Sequence, residues 1–83
     1  MNTNERALFD HSKLEGDMRE KRITHQTMSE KIGISRVSFE KKIKGESAFK
    51  DFEMERIIKA LDKDLSFIEV YFFRPSTSQN ANF

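Results

Sequence analysis

The sequence predicts an all-α domain built from five short helices. Apolar residues recur at spacings of three and four, and no stretch before residue 65 alternates with period two. Valine and threonine are scarce, and the three glycines, at positions 16, 33 and 45, fall where helix boundaries are marked or tested.

The first helix is expected to begin at Ser12. Ser12 and Glu15 match the capping box, in which a hydroxyl and a carboxylate each take a free backbone N–H. Leu14 and Met18 lie one turn apart on its inner face. Gly16 weakens such a helix by roughly 1 kcal/mol relative to alanine, so a closely approaching neighbour is expected there. Basic groups at Lys21 and Arg22 suit the negative end of the helix dipole and place the terminus near them.

The second helix follows Thr24 as its cap, turns Met28 and Ile32 inward, and stops at Gly33, which supplies the positive φ of a helix C-terminus. The third begins at Ser35, another good cap, with Phe39 and Ile43 inward and Gly45 as its stop. The fourth is expected from about Phe52 to Asp62, capped by Asp51. Its Met54, Ile57, Ile58 and Leu61 fall within an arc of about 100°. The fifth is expected to start near Asp64 or Leu65, with Leu65, Ile68 and Phe72 on one face, Phe67 and Tyr71 beside it, and Val70 and Phe73 elsewhere. The β-branched and aromatic content of 65–73 also allows a strand.

Eighty-three residues, 36% of them hydrophobic, suffice for one small core. Residues 12–73 are expected to form it, with a partly ordered segment over 1–11, where Leu8 or Phe9 packs, and a disordered tail over 74–83, RPSTSQNANF. No apolar run approaches the length of a membrane span, and the N-terminus lacks the pattern of a signal peptide. The absence of cysteine excludes thiol chemistry and a disulfide framework, and fits a reducing cytoplasm. A chain this short has little room for a catalytic cleft. A binding module is expected, without cofactor, metal or small-molecule substrate.

A net charge of +1 hides an asymmetry. Residues 35–50 carry five basic side chains (Arg36, Lys41, Lys42, Lys44 and Lys50) against two acidic, whereas residues 51–70 carry three basic against six acidic. One face is therefore expected to meet an anion.

The informative stretch is THQTMSEKIGISRVSFEKKIKG, residues 24–45. Two short helices separated only by Gly33, Ile34 and Ser35 must cross steeply, the signature of a helix-turn-helix. With Phe39 and Ile43 inward, Arg36, Val37, Glu40, Lys41 and Lys44 share an outward arc of about 140°. Arg36 stands in the first turn, where base edges are reached. Arginine suits guanine O6 and N7, Val37 a thymine methyl, and Lys41 a base or phosphate.

Residues 12–73, about three quarters of the chain, resemble the Cro and CI-type phage repressors, the lambda-repressor-like helix-turn-helix family. The resemblance is carried by Leu14, Gly16 and Met18, by Ile23 and Thr24, by Met28 and Ser29, by Ile32 through Arg36, and by Phe39, Ile43, Gly45 and Phe49. It implies a DNA-binding transcriptional regulator of a phage or prophage genetic switch, acting in the cytoplasm of a bacterial host. It further implies that Arg36, Val37, Glu40 and Lys41 face the bases, and that His25, Gln26, Ser35 and Lys44 lie near phosphates of an operator. The start of the second helix can also offer backbone N–H groups to a phosphate. Three positions depart from the family's pattern: His25 stands where glutamine is usual, Ser29 where alanine is usual, and Glu40 adds a negative charge to the reading face.

The stretch LSFIEVYFF, residues 65–73, holds more apolar surface than one small core covers. Phe67, Val70, Tyr71 and Phe73 are the expected partner surface, most simply of a homodimer that sets two recognition helices about 34 Å apart. Small helix-turn-helix proteins resembling Cro also include modulators of repression, antirepressors that bind a CI-type repressor. The weak net charge, the acidic Glu40 and the spare apolar surface suit that role too. Other motifs fail. Ser38 and Lys41 match S-x-x-K without its companion motifs. Asp62, Asp64 and Ser66 imitate a calcium loop that lacks its glycine and final glutamate. His11 and His25 have no ligand partners at metal spacing and are expected to face solvent, His25 near a phosphate.

Overall fold

Helix boundaries fall close to the capping and glycine signals. The structure, a computed structural model, describes residues 9–75. In chain order it contains α1 (Ser12–Glu20), α2 (His25–Ile32), α3 (Arg36–Ile43), α4 (Asp51–Ala60), a 3₁₀ turn (Leu65–Phe67) and α5 (Ile68–Phe72). The alternative of a strand over 65–73 is thereby replaced by helix. The expected ordering of Leu8 and the tail beyond residue 75 lie outside the described residues.

Two helix starts differ from expectation. Ser12 is the first helical residue of α1 rather than its cap, and its N–H is taken by Asp10 Oδ1 at 2.8 Å. At α4 the cap position is Lys50, not Asp51, and Glu53 Oε1 accepts the Lys50 N–H at 2.9 Å. In each case a carboxylate satisfies an orphan donor of the first turn. The expected close neighbour at Gly16 is not found: a Cβ there would meet only Arg19 of its own helix, at 4.0 Å.

The core gathers the residues that the helical repeat turned inward. Leu14 and Met18, Met28 and Ile32, Phe39, and Ile57, Ile58 and Leu61 are all buried. Phe49, from the loop before α4, stands edge-on between Phe39 and Phe72, with centroids 5.9 and 5.2 Å away, a favoured aromatic geometry.

The C-terminal apolar stretch divides differently from expectation. Leu65 is 64% exposed, while Tyr71 is fully buried. Leu65 begins the 3₁₀ turn and lines the same shallow groove as Ile68, at its outer side. Tyr71 can enter the core because its hydroxyl donates to Asp17 Oδ2 at 2.5 Å. Asp17 also meets Lys13 at 3.2 Å. His11, expected in solvent, is half-buried, and its Nδ1 donates to the Tyr71 carbonyl at 2.8 Å. Beyond α5, Phe9 and Pro75 form an isolated antiparallel bridge, and Asp10 N–H donates to Arg74 O at 2.7 Å. Order therefore extends two residues past the expected boundary at 73.

One ion pair lies inside. Lys42 Nζ donates to both carboxylate oxygens of Glu53, at 2.7 and 2.8 Å, and the two residues are 9% and 1% exposed. Removing one partner leaves a buried charge uncompensated. Lys42→Ala should lower the unfolding free energy by about 3–5 kcal/mol, seen as an earlier denaturant midpoint. Replacing both, Lys42→Met with Glu53→Leu, should cost far less.

Burial alone would raise the Asp17 and Glu53 carboxyls. The Tyr71 and Lys13 bonds to Asp17, and the Lys42 and Lys50 bonds to Glu53, outweigh it and hold both below the usual carboxylate range. Burial first, and Asp17 second, push the Tyr71 phenol up. A depressed carboxyl contributes stability that is present above its unfolded value, about 4, and lost as pH falls through its folded value. A raised phenol contributes stability that is present below about pH 10 and lost above it. Stability measured against pH should thus fall at both extremes, and Glu53→Gln should flatten the acid limb while Tyr71→Phe flattens the alkaline one.

Candidate nucleic-acid interface

The joint between α2 and α3 is built from backbone chemistry. Thr24 caps α2 by accepting the Thr27 N–H at 3.1 Å, and Ser35 caps α3 by accepting the Ser38 N–H at 3.0 Å. Between them Gly33 takes φ +85°, its N–H reaches Glu30 O at 3.3 Å, and Ile34 N–H reaches Ser29 O at 3.0 Å. This pair of bonds is the Schellman arrangement. It ends α2 sharply and lets α3 begin three residues later. From α4, Arg56 Nη1 donates to Ile32 O at 3.0 Å while its guanidinium lies over the Phe52 ring, 5.1 Å from the centroid.

The same termination recurs at Gly45 after α3, and at two positions without glycine. Arg22 (φ 59°) and Asp62 (φ 60°) occupy the left-handed region after α1 and α4. There Ile23 N–H reaches Met18 O at 2.9 Å, and Lys63 N–H reaches Ile58 O at 3.0 Å.

The helix following this joint presents an outward face much as the repeat predicts. Arg36, Val37, Lys41 and Lys44 are exposed, Val37 at 64%. Two expectations about charge change. Lys42, counted in the basic segment, is turned inward to Glu53, so the exposed face is less positive than the sequence count. The helical repeat gives no clear signal of this, since Lys42 falls about 100° from Ile43. Glu40 is not a free carboxylate on the face. It accepts from Arg36 Nε at 3.0 Å and lies 3.4 Å from His25 Nδ1.

His25 differs most from expectation. Its ring packs on Phe39, with centroids 5.3 Å apart, and its Nε2 reaches Glu15 Oε1 at 2.7 Å. The histidine is bound between carboxylates of α1 and α3 rather than presented to a phosphate. Both contacts are donated at once only when both ring nitrogens carry protons. The result is a chain of polar contacts, Glu15 to His25 to Glu40 to Arg36, that crosses three helices. The Arg36 bond first, and the His25 contact second, hold the Glu40 carboxyl below its usual range. Gln26 is exposed with its amide on Glu30 Oε2 at 2.7 Å, and the Ser35 hydroxyl is spent on the cap.

The expected partner surface does not survive as one patch. Tyr71 is buried. Phe67 and Val70 pack partly against the core, and Lys63 Nζ sits 4.9 Å from the Phe67 centroid. Phe73 remains 43% exposed, edge-on to Phe9 at 5.6 Å. Exposed apolar surface lies instead at Leu65 and at Phe52, 44% exposed. They flank a shallow groove shared with Asp51, Glu55 and Ile68. Among the described residues no group of three or more His, Cys, Asp or Glu is placed to hold a metal ion, and no helix is long and apolar enough to cross a membrane.

Substitutions at the joints test this geometry. Gly33→Ala should lower stability by about 1–2 kcal/mol through its positive φ, because the added Cβ also stands 3.3 Å from Arg56 Nη1. Arg22→Gly should do the reverse, raising stability by about 1 kcal/mol. Thermal melts of the two variants should move in opposite directions.

A family described as "Protein of unknown function (DUF739)" matches residues 7–75, well over half of the chain, and the chain belongs to that family. No curated protein matches the chain.

Proposed function

We propose that this family member is a DNA-binding transcriptional regulator of a phage or prophage switch, working in the bacterial cytoplasm and reading a double-stranded operator with α3. The observation that carries the proposal is the three-residue joint at 33–35 followed by a helix whose first turns expose Arg36, Val37 and Lys41. A short helix held by a tight turn against a second helix, with a donor fork, a small apolar group and an ammonium on its free face, suits a major groove. Lys44, at the far end of α3, suits a phosphate. The resemblance to Cro and CI-type repressors supports the same reading, with a symmetric dimer as the natural way to reach two half-sites.

A second reading is an antirepressor that binds a CI-type repressor. Two observations favour it. Arg36 is already paired with Glu40, and exposed apolar side chains at Phe52 and Leu65 sit beside the acidic Asp51 and Glu55. An acidic groove of this kind suits a basic partner surface.

Binding of the full chain to duplex DNA from its own promoter region separates the two. In fluorescence anisotropy, Arg36→Ala should cost roughly 1–3 kcal/mol at one base position, while Lys41→Ala or Lys44→Ala should weaken all sequences and shallow the salt dependence. Weak binding of equal strength to every sequence would sink the operator reading. Co-elution with a CI-type repressor in size-exclusion chromatography would then support the second, and its absence would remove that one too.

A further inference from the structure

The geometry points to Glu40 as a positioning residue that aims Arg36 end-on at a guanine. This inference rests on the operator reading above and specifies what that site reads.

Arg36 has five N–H donors, one on Nε and two on each Nη. Glu40 Oε2 takes the Nε proton at 3.0 Å, so the guanidinium is held by its inner edge. Its two Nη groups are the part left to a ligand, and the Arg36 side chain is 60% exposed. Glu40 is itself braced: its side chain is 33% exposed, and the same Oε2 lies 3.4 Å from His25 Nδ1. The imidazole is fixed in turn by Glu15 at 2.7 Å and by the Phe39 ring beneath it. Residues from α1 and α2 thus brace the acceptor on α3 that orients the arginine.

A fork held in this way selects among bases. In the major groove only guanine offers two acceptors side by side, O6 and N7. Adenine pairs its acceptor with a donor, thymine has one acceptor, and cytosine presents a donor. Side-on recognition through Nε and one Nη is closed, because Nε is occupied. The carboxylate that looks unfavourable for DNA binding therefore sets the orientation of the residue beside it. Its repulsion of phosphates applies to all sequences alike, whereas the orientation it imposes favours one base.

The test is selection of the full-length protein on randomised duplex DNA, followed by affinities for all four bases at the position that depends on Arg36. Wild type, Arg36→Ala, Glu40→Ala and Glu40→Gln are compared, each checked for an unchanged helical melt. Wild type should prefer guanine there by about 10- to 100-fold, and Arg36→Ala should abolish the preference. Glu40→Ala should bind random DNA more tightly, having lost a negative charge, and yet lose most of the guanine preference. Glu40→Gln should restore the preference, since its amide oxygen still accepts from Nε.

If Glu40→Ala tightens binding to all sequences and keeps the guanine preference, Glu40 is only a charge and the inference is overturned. A lost preference for cytosine at a neighbouring position would overturn it as well, by making Glu40 itself the reader. Arg36→Ala weakening every sequence equally would place the guanidinium on phosphate, with the same consequence. A selected sequence without guanine at the Arg36 position sinks this inference alone. No selected sequence at all sinks it together with the operator reading.

Discussion

A buried ion pair ties α3 to α4, while the backbone of α3 packs on α2. Lys42 on the inner side of α3 gives its ammonium to both oxygens of Glu53, and the same carboxylate takes the Lys50 N–H at the start of α4. One side chain therefore fixes the inner face of α3, the end of the loop after it and the first turn of α4. Two charges in so dry a place are favourable only when their hydrogen bonds are well made, and these are bidentate and short. The pair fixes α3 in rotation and along its axis. With Phe39 and Lys42 both directed inward, the rotation of α3 is set, and Arg36, Val37, Lys41 and Lys44 are what remains to face outward.

Much of this fold is legible in the sequence because its boundaries are set by local chemistry. Thr24, Gly33, Ser35 and Gly45 each act through their own backbone or hydroxyl, and each falls where the pattern puts it. The boundaries that escape are those whose chemistry is not local or not characteristic of the residue. Asp10 rather than Ser12 serves the first turn of α1, and Glu53 reaches back to serve α4. Arg22 adopts a left-handed conformation that nothing in its side chain announces, and Asp62 one that aspartate only sometimes takes, because the backbone bonds of the Schellman turn offset the cost. Gly16, in contrast, has no close neighbour, and nothing in the fold explains it.

The candidate site shows the same division. A helical repeat finds most exposed positions, so the outward places of Val37, Lys41 and Lys44 follow from Phe39 and Ile43 alone, whereas Arg36 falls about 20° from Ile43 and is nonetheless exposed. It does not find pairings. Charge counted along the chain treated Lys42 as part of a basic face and Glu40 as an unpartnered intruder, whereas the fold pairs one with Glu53 and the other with Arg36 and His25. Tyr71 illustrates the point in the core. Its burial depends on Asp17, 54 positions away. No window on the local sequence contains both Asp17 and Tyr71.

If α3 reads an operator as proposed, these pairings shape how its face can bind. Counterion release drives nucleic-acid binding in proportion to the phosphates neutralised. On α3 that drive rests on Lys41 and Lys44 alone, because Lys42 is committed to the interior and Arg36 works beside Glu40. The free energy must then come from directional contacts and from small apolar ones such as Val37, which depend on placement. A long side chain ordered only on binding forfeits about 0.5–1.5 kcal/mol. Arg36 avoids part of that cost because Glu40, braced through His25 by Glu15, already restricts it. On the proposed operator reading, the two basic groups of α3 that are paired, Arg36 and Lys42, exchange general attraction to DNA for a preset geometry.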